Sequence, residues 1–217
     1  MAGIGIKLNK FFDKGTVTGY LAGSGYSVVT TIAPMLLVIA DILAMQKILG
    51  YSDAAYGSRQ LFQATILYIF VFALLASAPL NAVLSRYVSD VIFNETYSDI
   101  MAAFHLGLWI SMAIDAIMVV PFAIHEYIVG GVDIVYVVTS VCCFIALSLV
   151  FYTMLYLSLC KDYGKISLFY FIGMAITLGI SYIFVNKFNM EITYSMLLAM
   201  TIGFIIIASL GYALLRQ

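Results

Sequence analysis

Two aspartates interrupt long apolar runs, and they are the residues of this sequence best placed to do chemistry. Asp41 lies near the end of the run at residues 25–46, and Asp115 lies inside the run at residues 100–124. A carboxylate facing hydrocarbon is costly, so acids within membrane spans usually face the protein interior or a water-filled cavity. We therefore interpret both aspartates as candidate cation or substrate contacts in a polar cavity.

A second interpretation of Asp41 is structural. Ser24, Ser27, Thr31 and Pro34 recur with Asp41 at spacings of three, four and seven, so all five share one helical face. Pro34 cannot donate a backbone hydrogen bond, and such a defect is tolerated in a membrane where neighbouring groups complete it. The polar face is then that of a kinked packing helix whose carboxylate reaches toward the outer headgroups.

The second apolar run also carries a polar face. Asn81 has a serine four residues to either side, which places the three side chains together on a helix. The pattern continues past Pro79 to Arg86 and Asp90. It predicts a helix that extends out of the bilayer, with Asn81 as a polar neighbour of the substrate path.

Tyr152 and Tyr156 follow Ser148 at successive intervals of four, which predicts one hydroxyl-bearing aromatic stripe on a helix. Tyrosines near the end of a span often form the interfacial aromatic belt. Alternatively, their ring faces and hydroxyls would serve as platforms for sugar rings. The spacing does not separate these two interpretations.

Catalysis has little support in the sequence. The only histidines, His105 and His125, are 20 residues apart in one predicted helix, so roughly 30 Å separates them at about 1.5 Å per residue. They cannot act together as an acid–base pair or as metal ligands. This separation argues against a membrane enzyme acting on lipid-linked sugars. We therefore predict no enzyme activity, no metal site and no cofactor.

The composition indicates an all-α, multi-pass membrane protein. Hydrophobic residues make up 64% of the chain and charged residues 10%, with a mean hydropathy of +1.08, whereas soluble domains contain about 25% charged residues. The absence of a basic run argues against nucleic-acid binding. Six apolar runs are long enough to span a bilayer, at residues 25–46, 61–83, 100–124, 134–159, 166–184 and 192–214.

The N-terminal residues 1–15 have a different pattern. Lys7, Lys10 and Lys14 lie on one helical face and apolar side chains on another, which predicts an amphipathic helix in the headgroup plane. The apolar run that follows is too long for the core of a signal peptide, so we expect a retained anchor. Most Lys and Arg residues lie on the same side of the membrane as the N-terminus. Because positive charge is concentrated on the cytoplasmic side of membrane proteins, this predicts cytoplasmic N- and C-termini.

Three short stretches match one family in their order and in their positions relative to the predicted spans. They are Ala2, Gly3, Ile4, Gly5 and Leu8; Arg86, Tyr87, Ser89 and Asp90; and Lys161, Asp162, Tyr163 and Ile166. In these stretches the sequence resembles the N-terminal half of the Pel exopolysaccharide transporter family, PelG, within the MOP flippase superfamily.

The resemblance implies a fold and a function. Residues 16–217 would form one six-helix lobe of a MOP/MATE-type transporter, paired with a second lobe that this chain does not contain. The lobes would move an exopolysaccharide across the inner membrane by alternating access. The roles of Asp41 and Asp115, as cation or proton sites or as contacts for a positively charged glycan, rest on the cost of burying polar groups and not on the resemblance. Membrane lipid, a cytoplasmic glycosyltransferase and other synthase subunits are the implied partners. The alternative is a non-transporting scaffold that anchors the synthase.

Four charged residues of the matching stretches, Arg86, Asp90, Lys161 and Asp162, are predicted at the cytoplasmic face. There they would lock an inward gate or dock the partner complex. The structural alternative is an ordinary helix elbow with interfacial charges.

Overall fold

The computed structural model describes residues 17–94, 98–159 and 163–216, except for the side chains of residues 17–31, 92, 98, 99, 159 and 163. These residues form six α-helices and no strand, which confirms the predicted all-α fold. A short 3-10 turn at Tyr51–Asp53 joins the first two helices. The helices are α1 (Val17–Ile48), α2 (Tyr56–Phe93), α3 (Ser98–Ile128), α4 (Ile134–Leu159), α5 (Tyr163–Phe188) and α6 (Ile192–Leu215).

The connections at one end of the helices are short and have specific turn chemistry. Gly50 and Gly131 have φ angles of 65° and 63°, a left-handed conformation that glycine adopts without steric cost and that follows the ends of α1 and α3. Asp133 then starts α4, because its carboxylate accepts a hydrogen bond from the backbone N–H of Val135 at 3.1 Å.

Helices α2 to α6 are each long and apolar enough to cross a membrane, so the chain is a multi-pass membrane protein. At about 1.5 Å per residue the 38 residues of α2 are roughly 57 Å long, well beyond the ~30 Å hydrocarbon core. The helix continues through Pro79 to Phe93, which confirms the predicted extension beyond the second span. Helix α1 likewise continues through Pro34.

Helices α4 and α6 form the centre of the bundle. They pack most extensively against each other; α4 also packs against α2 and α3, and α6 against α5, which in turn packs against α1. The two predicted acids therefore lie on opposite sides of the bundle, since Asp41 is on α1 and Asp115 is on α3.

Small residues bring α5 and α6 close together. A Cβ atom at Gly203 would overlap the Thr177 hydroxyl, and a Cβ atom at Gly173 would overlap the Ile207 side chain. Thr177 is fully buried, and its hydroxyl donates to the carbonyl of Gly173 at 2.9 Å. This is the usual way in which spanning helices gain dispersion contacts in lipid, where no hydrophobic effect drives them together.

Some predictions fall outside the described residues. The interfacial segment at residues 1–15, and with it the division from residues 16–217, remains a prediction. The same holds for Lys161 and Asp162 and for the side chains of Ser24, Ser27 and Thr31 on α1.

Candidate functional site

The best-defined polar site lies between α3 and α4. Asp115 is 1% exposed, and its Oδ1 accepts a hydrogen bond from the hydroxyl of Ser148, itself fully buried, at 3.0 Å. No described residue hydrogen-bonds to Oδ2 of Asp115, and no described basic side chain forms an ion pair with it. Among the described residues the carboxyl group is thus hydrogen-bonded on one side only.

One continuous face of α3 presents this carboxyl group. Phe104, Gly107, Ser111 and Asp115 follow at spacings of three and four and are all buried. Since α3 and α4 are antiparallel, Asp115 meets Ser148 at mid-span, whereas Phe104 lies farther toward the end of α4. The interface therefore combines one polar contact with a longer packed segment.

Tyr152 and Tyr156 lie in that packed segment. They are 1% and 0% exposed, and the Tyr152 hydroxyl donates to the backbone carbonyl of Phe104 at 2.7 Å. The Phe104 ring lies 5.2 Å and 5.0 Å, centroid to centroid, from the rings of Tyr152 and Tyr156. Both tyrosines are thus inside the bundle in this conformation, and a sugar would reach them only after α3 and α4 had separated.

Asp41 has a different environment. It lies between Val38 and Met45 on the buried stripe of α1, the helix that packs against α5. The residue is 4% exposed, and neither carboxylate oxygen accepts a hydrogen bond from a described residue. Asp41 lies about 10 Å from the end of α1, a position that suits either a cation or substrate contact or a carboxylate that reaches the headgroups. In this conformation the carboxylate points inward rather than toward the headgroups.

The remaining predicted site residues lie on α2. Asn81 is partly buried, and its Oδ1 has no hydrogen-bond partner among the described residues. Arg86 and Asp90 are exposed on the extension of α2, and within the described ranges neither forms an ion pair. The structure therefore does not bring Arg86 and Asp90 together with Asp115. The Asp115 site, the Asp41 site and the polar residues of α2 are three separate features.

Sequence reasoning missed two residues of the α3–α4 interface. A Cβ atom at Gly107 would overlap the Tyr152 hydroxyl, so the glycine makes room for the hydrogen bond to Phe104. The available signal was the position of Gly107 on the same helical face as Asp115. Phe104 carried no distinguishing signal within an apolar run.

These features define a class of protein: a bundle of apolar, membrane-spanning helices whose interior contains incompletely paired carboxyl groups. A family model named "PelG: Putative exopolysaccharide Exporter (EPS-E)" matches residues 1–217, the whole chain. The chain belongs to the PelG family, as the resemblance in the three short stretches predicted. The description of the family is that of an exopolysaccharide exporter. Searches among curated proteins and among solved structures find no match.

Proposed function

We propose that this chain is the helical core of an inner-membrane exporter that moves an exopolysaccharide, a Pel-like glycan, by alternating access. Membership of the whole chain in an exporter family is the observation that carries the proposal. Five helices within the described part of the chain are able to span a membrane, which supports it. In this arrangement both termini are cytoplasmic, and a second six-helix lobe completes the passage.

Asp115 is the proposed centre of the coupling chemistry. Burying an isolated ionised carboxylate costs far more than the single hydrogen bond from Ser148 returns, so the group needs a proton, a bound cation or access to water. Each of these is exchanged when a lobe opens to one side of the membrane. Asp41 offers a second site of the same kind on the opposite side of the bundle.

Contact with the glycan is a separate part of the proposal. The amide oxygen of Asn81 has no partner among the described residues and can accept a hydrogen bond from a sugar hydroxyl. Tyr152 and Tyr156 would stack against sugar rings only in a state in which α3 moves away from α4. Transport then requires no covalent chemistry, only movement of two lobes around a hydrophilic passage.

Cysteine accessibility tests the passage. In a cysteine-free exporter, Asp41→Cys and Asp115→Cys should react with a membrane-impermeant thiol reagent in at least one transport state, because opening must bring water to both positions. Ala146→Cys is the matched control: Ala146 is 2% exposed in the core and should remain protected. Labelling is measured by the mass of the purified protein. Protection of both test positions in every state would show that the acids are permanently packed.

The alternative function, a scaffold for a cytoplasmic synthase, is favoured by Arg86 and Asp90 on the extension of α2, which are exposed and form no ion pair with another described residue. Together with Lys161 and Asp162 they would dock a glycosyltransferase or another synthase subunit. A gate that locks the inward side is the other use of the same charges. Both uses require that α2 extends into the cytoplasm.

Charge reversal tests the docking surface. Arg86→Glu should release the synthase in co-purification while membrane insertion is unchanged, because rim charges of an interface act mainly through electrostatic complementarity. Arg86→Lys keeps the charge and should retain the synthase. Lys187→Glu reverses an exposed charge at the opposite end of the bundle and should have no effect. Retention of the synthase by Arg86→Glu would remove this role.

A further inference from the structure

An apolar hollow opens between α2, α3 and α4, at the end of the bundle where α3 connects to α4. Its volume is about 490 Å³, within the range of about 300–1,000 Å³ typical of small-molecule sites. The walls are mostly apolar and include Ala64, Ile69, Phe72, Val119, Phe122 and Phe144. We call this space the tail hollow.

A second, more polar hollow adjoins it. This space, the head hollow, has a volume of about 620 Å³ and lies where the α3–α4 connection meets the starts of α2 and α6. Leu61, Val132 and Tyr136 line both hollows, so the two are adjacent. The Tyr136 hydroxyl donates to the Thr65 hydroxyl at 3.3 Å, which ties α4 to α2 at the junction.

The charged side chains that line the two hollows are all acidic, and one of them, Glu126, also lies 3.4 Å from Nδ1 of His125 through its Oε1. Glu126 lines the tail hollow, and Asp133 and Glu191 line the head hollow. Among the described residues that line either space there is no lysine or arginine. The acidic side chains therefore attract a cation next to a space whose walls are mostly apolar.

We propose that the two hollows form a binding site for a phospholipid with an amine headgroup, phosphatidylethanolamine. One acyl chain occupies the tail hollow, and the ammonium group lies against the carboxylates of Glu126 and Asp133. The tail hollow lies among membrane-spanning helices, where hydrocarbon chains are the surrounding medium. Charge complementarity selects the amine headgroup over an anionic one. The site is independent of whether the chain exports a glycan.

Lipid retention tests the site. The purified protein is reconstituted in nanodiscs of equal parts phosphatidylethanolamine and phosphatidylglycerol, and the lipids that remain bound after detergent extraction are measured by native mass spectrometry. We expect retained phosphatidylethanolamine to exceed phosphatidylglycerol by about twofold to fivefold, the range for ion pairs near water. The double variant Glu126→Gln/Asp133→Asn should bring the ratio back to that of the nanodisc. Asp53→Asn, an exposed acid outside both hollows, should leave the ratio unchanged.

A second variant tests the tail hollow without changing charge. Ala123→Trp fills the space and should abolish lipid retention, whereas Ala113→Trp places the same ring on an exposed position of α3 outside the hollow and should not. Circular dichroism checks the folding of each variant, and the charge variants decide if Ala123→Trp does not fold. Equal retention of both lipids by the wild type, or unchanged retention by Ala123→Trp, would overturn the proposal. A wild-type dimer that Ala123→Trp dissociates would identify a second copy as the occupant instead.

Discussion

Asp115→Asn in the intact exporter is expected to reduce polysaccharide export by about tenfold or more, equivalent to at least ~1.4 kcal/mol in the coupled step. Asparagine has the shape of aspartate and can still accept the hydrogen bond from Ser148, but it cannot carry a proton or balance a cation. Stability should change by about 1 kcal/mol or less, since packing is preserved. Secreted polysaccharide per inserted exporter and the thermal unfolding midpoint are the two measurements.

Two variants separate chemistry from structure at this position. Ser148→Ala removes only the hydrogen bond to Asp115 and should reduce export less than Asp115→Asn does. Asp53→Asn changes an exposed acid in the 3-10 turn and should leave export unchanged. Full export by Asp115→Asn would show that this carboxyl group carries neither proton nor cation. A fall in export that parallels a fall in thermal stability would assign it a structural role.

Gly203→Ala should destabilise the bundle by about 2–5 kcal/mol, the combined range for overpacking a core and for leaving a buried hydroxyl unpaired. The new methyl group would overlap the Thr177 hydroxyl, and rotating Thr177 away breaks its hydrogen bond to Gly173. Unfolding of the purified protein in detergent, followed by circular dichroism, gives the change in the free energy of unfolding.

The same helix pair supplies the controls for Gly203→Ala. Gly179→Ala adds a methyl group in α5 where nothing lies within 4 Å, so it should be neutral or stabilising by up to about 1 kcal/mol through helix propensity. The double variant Gly203→Ala/Thr177→Ala removes the overlap and should recover about 1–3 kcal/mol relative to the sum of the single changes. Equal stability of Gly203→Ala and Gly179→Ala would contradict the close approach of α5 and α6.

Much of the fold could be predicted from the sequence because hydropathy and helix length are local properties. The apolar runs correspond to helices in each case, and the polar face from Pro79 to Asp90 correctly indicated that α2 continues past the proline; the helix ends at Phe93. Helix ends were less accurate. α3 ends at Ile128 rather than at residue 124, because the left-handed Gly131 follows the helix and hydropathy does not detect such turns.

The arrangement of the candidate site could be predicted only in part. The costs of burial singled out Asp41 and Asp115, and both acids are buried. The sequence also showed that Ser148, Tyr152 and Tyr156 share one stripe of a helix. It did not show that Ser148 contacts a carboxyl group whereas the two tyrosines belong to an aromatic cluster. That difference depends on the antiparallel register of α3 and α4, which places Ser148 opposite Asp115 and the tyrosines against Phe104.

The sequence by itself determined that this is a helical, multi-pass membrane protein of the PelG family, because apolar length and short motifs are readable along a chain. Only the tertiary structure decided which helices meet. It separates Asp41 from Asp115 on opposite sides of the bundle, places Gly203 against Thr177, and places the two hollows on either side of Tyr136. The physical reason is that lipid surrounds every apolar helix face equally, so pairing between helices depends on small residues and buried hydrogen bonds that act only across space.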